Sequence, residues 1–379
     1  MANSGSDPAT CCPGAPMRFK LLVSTLVSVG FALAAPAAHA LLLTGSAVGF
    51  SSSTSLVDAE GGGATTYSGS LGTTGLAQFD ASLGVLTGAT LRLASTRKQT
   101  LQVTSTAGDA SNNANVTSTG QASSSIALVR PTGNTAVASM SLTASCTGNR
   151  RAACNGVAAG TSDAANAAVA IPQAALDLYV GGGTIAIGRS VSATVTQGAG
   201  VFGGTETTSY RLDWAGSLAL DYSYLLHAAP SFEGGAAVTE LTLDFGTVTV
   251  GDAVVRNFSL FNLVGDRVGL DLDSMVGSGD TGVLGVSLGL FDGLEAGNGS
   301  DWSALLDTST VGAYGASYTL FFSDADVGAA STRQSRQMTL NLLASVIAPR
   351  IETVPEPGSL PLLLGSLGML LAVSRRRRA

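Results

Sequence analysis

Short runs in which apolar and polar residues alternate recur along most of the chain, separated by Gly, Ser, Asn and Asp. The first series comprises Leu91–Leu93, Leu101–Val103, Ser125–Val129, Met140–Leu142, Leu176–Leu178, Thr184–Ile187, Val191–Val195, Leu212–Trp214 and Leu218–Tyr224. A second series follows at Leu241–Phe245, Thr247–Val250, Phe258–Leu260, Val283–Val286, Tyr318–Phe322 and Met338–Leu342. Period-two alternation predicts strands with one buried and one wet face. Two such series predict an all-β chain of two antiparallel β-sandwiches, over 41–229 and 230–350.

Three stretches break the pattern. Thr104 to Ser123 is polar without apolar alternation and is expected to form a long loop. Ala164 to Leu176 is alanine-rich enough for a short helix, although Pro172 interrupts it. Leu225 to Gly235, with Pro230 and two glycines, is expected to link the sandwiches.

Both ends differ from this body. Met17 to Lys20 is a charged start and Leu21 to Ala35 an apolar core, and Ala38-His39-Ala40 fits the small-x-small rule for signal peptidase. Residues 1–40 are therefore expected to be an upstream extension and signal peptide, with Met17 the initiator and cleavage after Ala40. Residues 351–379 hold Val354, Pro355, Glu356 and Pro357, an apolar run from Leu360 to Val373, and Arg375, Arg376, Arg377 and Arg378. The 14-residue run is shorter than the ~20 residues of an unassisted spanning helix. Its basic end sets an orientation with the arginines in the cytoplasm.

Composition sharpens the class. Only 12% of residues are charged while 48 are Gly, a mix suited to short strands and tight turns. Removing Arg18, Lys20, the four terminal arginines and Asp7 takes the formal charge from -7 to -12. Such an acidic body repels phosphate backbones, which excludes nucleic acid as a partner. Cys146 and Cys154 enclose a Gly/Asn/Arg loop and are the candidate disulfide of an exported chain. His227 is the one histidine of the expected mature body, leaving no metal-ligand set.

The chemistry motifs resolve into ordinary structure. Gly277 to Gly282 matches the spacing of a dinucleotide loop, yet a glycine-broken, β-like run follows it instead of a helix. Gly285 to Gly289 has the spacing of a nucleophile elbow at Ser287, but no histidine follows it. Asp271 with Asp273, and Asp324 with Asp326, offer carboxylates without calcium-loop spacing. Trp214, Tyr222 and Tyr224 form either core packing or an aromatic strip for sugars. No catalytic residue, metal or cofactor is assigned, and the chain is not expected to be an enzyme.

Three resemblances bear on these segments. Leu76 to Leu91, Leu176 to Thr184 and Leu220 to Tyr224 resemble the opening, the glycine-rich and the closing segments of the choice-of-anchor E domain, an exported bacterial β domain. Leu243 to Asn262 resembles the immunoglobulin-like modules of choice-of-anchor D proteins: strand, Gly turn, short strand, Gly turn, and a long strand ending in Asn. These imply two sandwiches, jelly-roll or immunoglobulin-like in kind, and bring no active site. The tail resembles the PEP-CTERM sorting signal, which implies a short transmembrane sorting helix and processing by exosortase. By that resemblance the chain belongs to a Gram-negative bacterium, pauses at the inner membrane, and reaches the cell surface or an exopolysaccharide-rich biofilm matrix as a structural or adhesive protein. The alternative is a carbohydrate- or calcium-binding module attached to exopolysaccharide.

Overall fold

The computed structural model describes residues 39–108, 111–158, 162–350, 364–367 and 369. The expected signal peptide up to residue 38, the sorting motif Val354, Pro355, Glu356 and Pro357, and the membrane stop Arg375, Arg376, Arg377 and Arg378 lie outside these residues. Among the described residues no helix is long and apolar enough to cross a membrane.

The chain is all-β and its strands form sheets with packed inner faces. In the first sandwich the strands are β1 (Leu41–Thr44), β2 (Val48–Ala59), β3 (Thr65–Ala77), β4 (Val85–Ser105), β5 (Asn115–Arg130) and β6 (Gly133–Asn149). They continue as β7 (Cys154–Ala158), β8 (Ser162–Ala164), β9 (Ala167–Ala170), β10 (Thr184–Gln197) and β11 (Glu206–Leu225). At the centre β4 and β11 pair antiparallel along their length, from Val85 opposite Leu225 to Ser105 opposite Glu206. β1 and β2 follow one another along the free side of β11, and β7, β8 and β9 do the same along β4. The facing sheet runs β3-β10-β5-β6. With each broken edge counted as one strand, the order is first, eighth, third, sixth against second, seventh, fourth, fifth.

The two inner faces meet in a core that changes character along its length. Near β4's start it is apolar, with Leu86, Leu91, Phe79, Leu176 and Leu218 buried. Further along, the side chains that point inward include Ser95, Arg97 and Gln99 from β4 and Ser118 and Ser124 from β5. Each finds a partner: Arg97 pairs with Asp163 at 2.7 Å, and Gln99 Oε1 accepts from Ser124 (3.0 Å) and Tyr210 (2.8 Å). Gln197 donates to Ser118 at 2.9 Å, and its backbone N–H donates to buried Asp58 at 2.7 Å. Glu206 accepts the N–H groups of Val201 and Phe202, which anchors the β10–β11 loop. Charge-assisted bonds of this kind offset the desolvation of buried carboxylates. Gly120 is required by close approach, since a Cβ there would lie 2.2 Å from Thr208 Oγ1.

Cys146, at the inner face of β6, is bonded to Cys154 at the start of β7, with Cα atoms 5.9 Å apart. Because β6 and β7 belong to opposite sheets, the bond closes one edge of the sandwich.

In the second sandwich the strands are β12 (Pro230–Ser231), β13 (Glu240–Thr249), β14 (Val254–Asn262), β15 (Leu270–Gly279), β16 (Leu284–Val286), β17 (Phe291–Leu294), β18 (Gly299–Leu306), β19 (Gly312–Asp324) and β20 (Ser335–Ile347). One sheet runs β12-β14-β18-β16 and the other β13-β20-β19-β15-β17. The expectation of purely antiparallel pairing is corrected among the described strands, because β13 joins β20 in parallel. Asn262, fully buried at the end of β14, donates to Val268 and Leu294 carbonyls and accepts Ala229 N–H, tying three segments together.

Between the sandwiches the segment expected as a linker is held rigidly. Leu226 N–H donates to Asp266, and Val268 N–H donates back to Leu226. Buried His227 meets Asp324 Oδ2 at 2.7 Å and Ala81 O at 2.9 Å, one partner in each sandwich. Val85 of β4 packs into the second core, while Ala329 packs into the first. Gly328, at φ 62°, permits this, since a Cβ would lie 2.3 Å from Leu86 O.

Several expectations are corrected. Of the expected loop Thr104–Ser123 only the part between β4 and β5 lies outside strands; its first two residues end β4 and its last nine begin β5, whose inward positions Ser118, Gly120 and Ala122 are too small to read as apolar alternation. The alanine-rich segment forms β8 and β9, and a 3-10 helix, Gln173–Tyr179, begins only after Pro172. Leu176–Leu178 falls in that helix and is not a strand.

Replacing Cys146 and Cys154 with Ser removes a short cross-sheet closure. An eight-residue separation predicts a loss of about 2.5 kcal/mol, to be measured by urea unfolding of both forms without reductant.

Candidate functional site

The sequence motifs with chemical spacing are dispersed by the fold. Ser287 bonds Ser303 Oγ at 2.9 Å, while His227 is engaged at the junction by Asp324 and Ala81. Gly277–Gly282 spans the end of β15 and a turn, and strand β16 follows it. Trp214 and Tyr222 point into the first core, where Trp214 donates to Ser95 (2.9 Å) and Tyr222 to Ala77 O (2.7 Å). Tyr224 is half-buried against Phe79, with ring centroids 5.4 Å apart. Of the two readings of these aromatics, core packing is the one that holds, since Trp214 and Tyr222 occupy inward positions of β11.

The two acidic pairs separate in role. Asp324 is 2% exposed and accepts Ala228 and Gln334 N–H groups besides meeting His227. Asp326 pairs with Arg333. Asp271 accepts Gly293 N–H at 2.6 Å and Asp273 accepts from Ser323 at 2.9 Å. Burial pushes the Asp271 carboxyl above its ordinary value, and Asp292, Asp273 and Asp326 push the same way against the Gly293 bond. Among the described residues no group of three or more His, Cys, Asp or Glu is placed to hold a metal ion.

What the fold does assemble is a surface. On the outer face of β3-β10-β5-β6, Ser68, Ser192, Ser125 and Ser139 lie side by side across four strands. The next rank is Thr66, Thr194, Ser123 and Ser141, followed by Thr196, Gln121 and Thr143. Six serines, Thr194 and Met140 line a shallow depression of about 510 Å³ in this face. A smaller one of about 130 Å³ adjoins it, reaching Gln121, Thr143 and Thr196.

These four strands contain two charged residues. Arg130 ends β5, and Arg189 points inward, its guanidinium 4.3 Å from the Phe50 ring centroid and bonded to Thr74 and Leu71. Burial pulls Arg189 below its usual basicity. By contrast, the opposite sheet carries the ion pairs Arg92–Asp221 and Arg211–Asp213. The sequence pattern puts Ser125, Ser141, Ser192 and Thr194 in strands, but only the cross-strand register brings them onto one face. Their signal was present as alternation of hydroxyl with small residues in 115–125.

No family model matches the chain, and no curated protein matches it. Among solved structures, the PapD-like domain 7 of human CEP192 is similar at 13% identity over 29% of this chain and 82% of its own, with TM-score 0.20. The Vibrio cholerae VesB protease shows 14% identity over 34% of this chain and 37% of its own, with TM-score 0.21. Infectious bursal disease virus, Gt strain, gives 14% over 47% and 38%, with TM-score 0.19. The chain thus spans less than half the length of the latter two. At these scores no fold or function transfers.

Asp271 yields a pH prediction. Its folded value lies above its unfolded one, so its contribution to stability is full below the unfolded value and is lost as pH rises through the folded value. Asp271→Asn keeps an acceptor for Gly293 and removes the desolvated charge together with its repulsion. It is expected to stabilise the protein at pH 7 by about 0.3–0.5 kcal/mol, a size limited by solvent screening, and to have no such effect at pH 3. Thermal midpoints of both proteins at the two pH values check this.

Proposed function

We propose that this protein is exported, held briefly at the inner membrane by its C-terminal segment, and released by exosortase to the cell surface or an exopolysaccharide-rich matrix. There it acts as a structural or adhesive component. The observation that carries this reading is the order of Val354 to Pro357, the 14-residue apolar run and Arg375 to Arg378, which resembles the PEP-CTERM signal. The physics of the segment supports it: prolines keep the cleavage region extended, the apolar run locates it in the bilayer, and the arginines orient it.

The body suits such a role. Its first sandwich has the strand order of an eight-stranded jelly roll. In the second, β13 and β20, from near the two ends of the segment, pair within one sheet while β12, β14, β16 and β18 make the other, a two-sheet arrangement shared with immunoglobulin-like sandwiches. A disulfide across the sheets and a junction with shared core residues suit an extracellular scaffold that keeps its shape. The second reading, a carbohydrate-binding module, is favoured by one feature, the charge-free hydroxyl face of β3-β10-β5-β6.

Replacing Pro355, Glu356 and Pro357 with alanine is expected to trap the full-length protein uncleaved in the inner-membrane fraction. Release of the variant at the normal rate and size would sink the sorting mechanism.

A further inference from the structure

We infer that the outer face of β3-β10-β5-β6 is the docking plane for a neutral polysaccharide, a polymer rich in hydroxyl groups and free of carboxylate, sulfate and phosphate. The inference deepens the matrix reading and rests on it for the polymer's presence, while the binding itself is testable separately.

Three observations carry it. The first is chemical match. A serine or threonine hydroxyl both donates and accepts, as a sugar hydroxyl does, whereas a charged group does only one. The hydroxyls of Ser123, Ser125, Ser141 and Ser192 make no hydrogen bond to another described residue, so these groups stand ready for a ligand. The second is charge. A net acidic body repels polyanions, and a polycation would be drawn to the carboxylates elsewhere, such as those around Asp271, in preference to a face that carries no charge. Large exposed apolar side chains are likewise absent from the ranks of serine and threonine, which removes the driving force for docking a second copy there.

The third is repetition on a rigid support. Neighbouring strands set the hydroxyls roughly 4.8 Å apart in one direction and successive outward residues about 6.7 Å apart in the other. A polymer lying in the depression therefore meets a fresh pair of partners with every few ångströms of its length. Serine has little rotamer freedom to lose, and the sheet beneath is pinned by Ser124 to Gln99 and by Gln197 to Ser118. Each exchange of water for sugar is weak, so affinity arises from many ranks engaged together. Polymers are expected to bind where single sugars do not.

The test uses the full-length protein in a depletion assay against insoluble cellulose, a β-1,3-glucan and cross-linked dextran as neutral probes, with alginate gel as the acidic one. Retention is expected on at least one neutral polymer, with alginate retaining at least tenfold less and free glucose failing to compete. Ser125 and Ser192 are cross-strand neighbours. The double variant Ser125→Asp/Ser192→Asp is expected to lose at least tenfold in binding, while Arg211→Ala on the opposite sheet keeps it. Should the double variant misfold by circular dichroism, Ser125→Ala/Ser141→Ala/Ser192→Ala is expected to lose at least threefold. Absence of retention on every neutral polymer, equal retention on alginate, or undiminished binding by the folded variants overturns the proposal. So does a variant that changes only the sedimentation of the protein, which would make the face a contact between copies. None of these outcomes bears on cleavage at Pro355 to Pro357, so the sorting mechanism and the docking plane stand or fall independently.

Discussion

The long antiparallel ladder between β4 and β11 is the constraint on which the rest of the structure depends. With 21 and 20 residues these strands extend well beyond the five or six of an ordinary strand, and each end does different work. At one end Val85 and Leu225 reach the second sandwich, Val85 inside its core and Leu225 packed against it. At the other, Ser105 and Glu206 frame the loop that Glu206 holds by two backbone N–H groups. Both edges of this sheet are built from shorter strands laid end to end against the pair, which spares the chain from making four strands of such length. The facing sheet then takes its position from the inward side chains of β4 and β11.

Rigidity at the junction follows from the same ladder. Because β11 runs directly into Leu226, little chain remains between the sandwiches to act as a hinge. His227 meets the Asp324 carboxylate through Nδ1 and the Ala81 carbonyl through Nε2, so one ring bridges the two sandwiches. Asp324 is in turn fixed by Ala228 and Gln334. Asp177 of the first sandwich accepts Ser331 N–H and Oγ–H from the second, and these bonds hold its carboxyl below the ordinary value. The two sandwiches are therefore joined by packed side chains and paired polar groups and not by a free linker.

Much of this was legible from alternation alone. The all-β class and most runs of the second series fall within strands, because there the inward residues are Leu, Phe, Val and Met. Legibility failed where the interior turns polar. Thr104–Ser123 hid parts of two strands because its inward positions are Ser118, Gly120 and Ala122, which no hydrophobicity pattern distinguishes from a loop. β2 and β3 escaped for the same reason, Ser, Thr and Gly making up half of β2 and most of β3. The hydroxyl face escaped with them. Its ranks join residues from four separated segments, and their register is set by pairing that no local pattern reports.

That separation bears on what the face is for. A sheet surface whose only duty is to meet water tolerates Lys, Glu, Asp or Arg at nearly every outward position, and edge strands in particular are usually protected by charge. Here β3 and β6 are the edges of the sheet and contain no charged residue at all. The interior does not demand this, because outward and inward positions alternate and are substituted independently. The whole chain is poor in charge, at 12% of residues, yet the opposite sheet still carries paired Arg and Asp on its surface. Neutrality is thus a property of the assembled plane and not of any one segment. A constraint that acts on four strands at once, at their outward positions only, acts through whatever meets that plane.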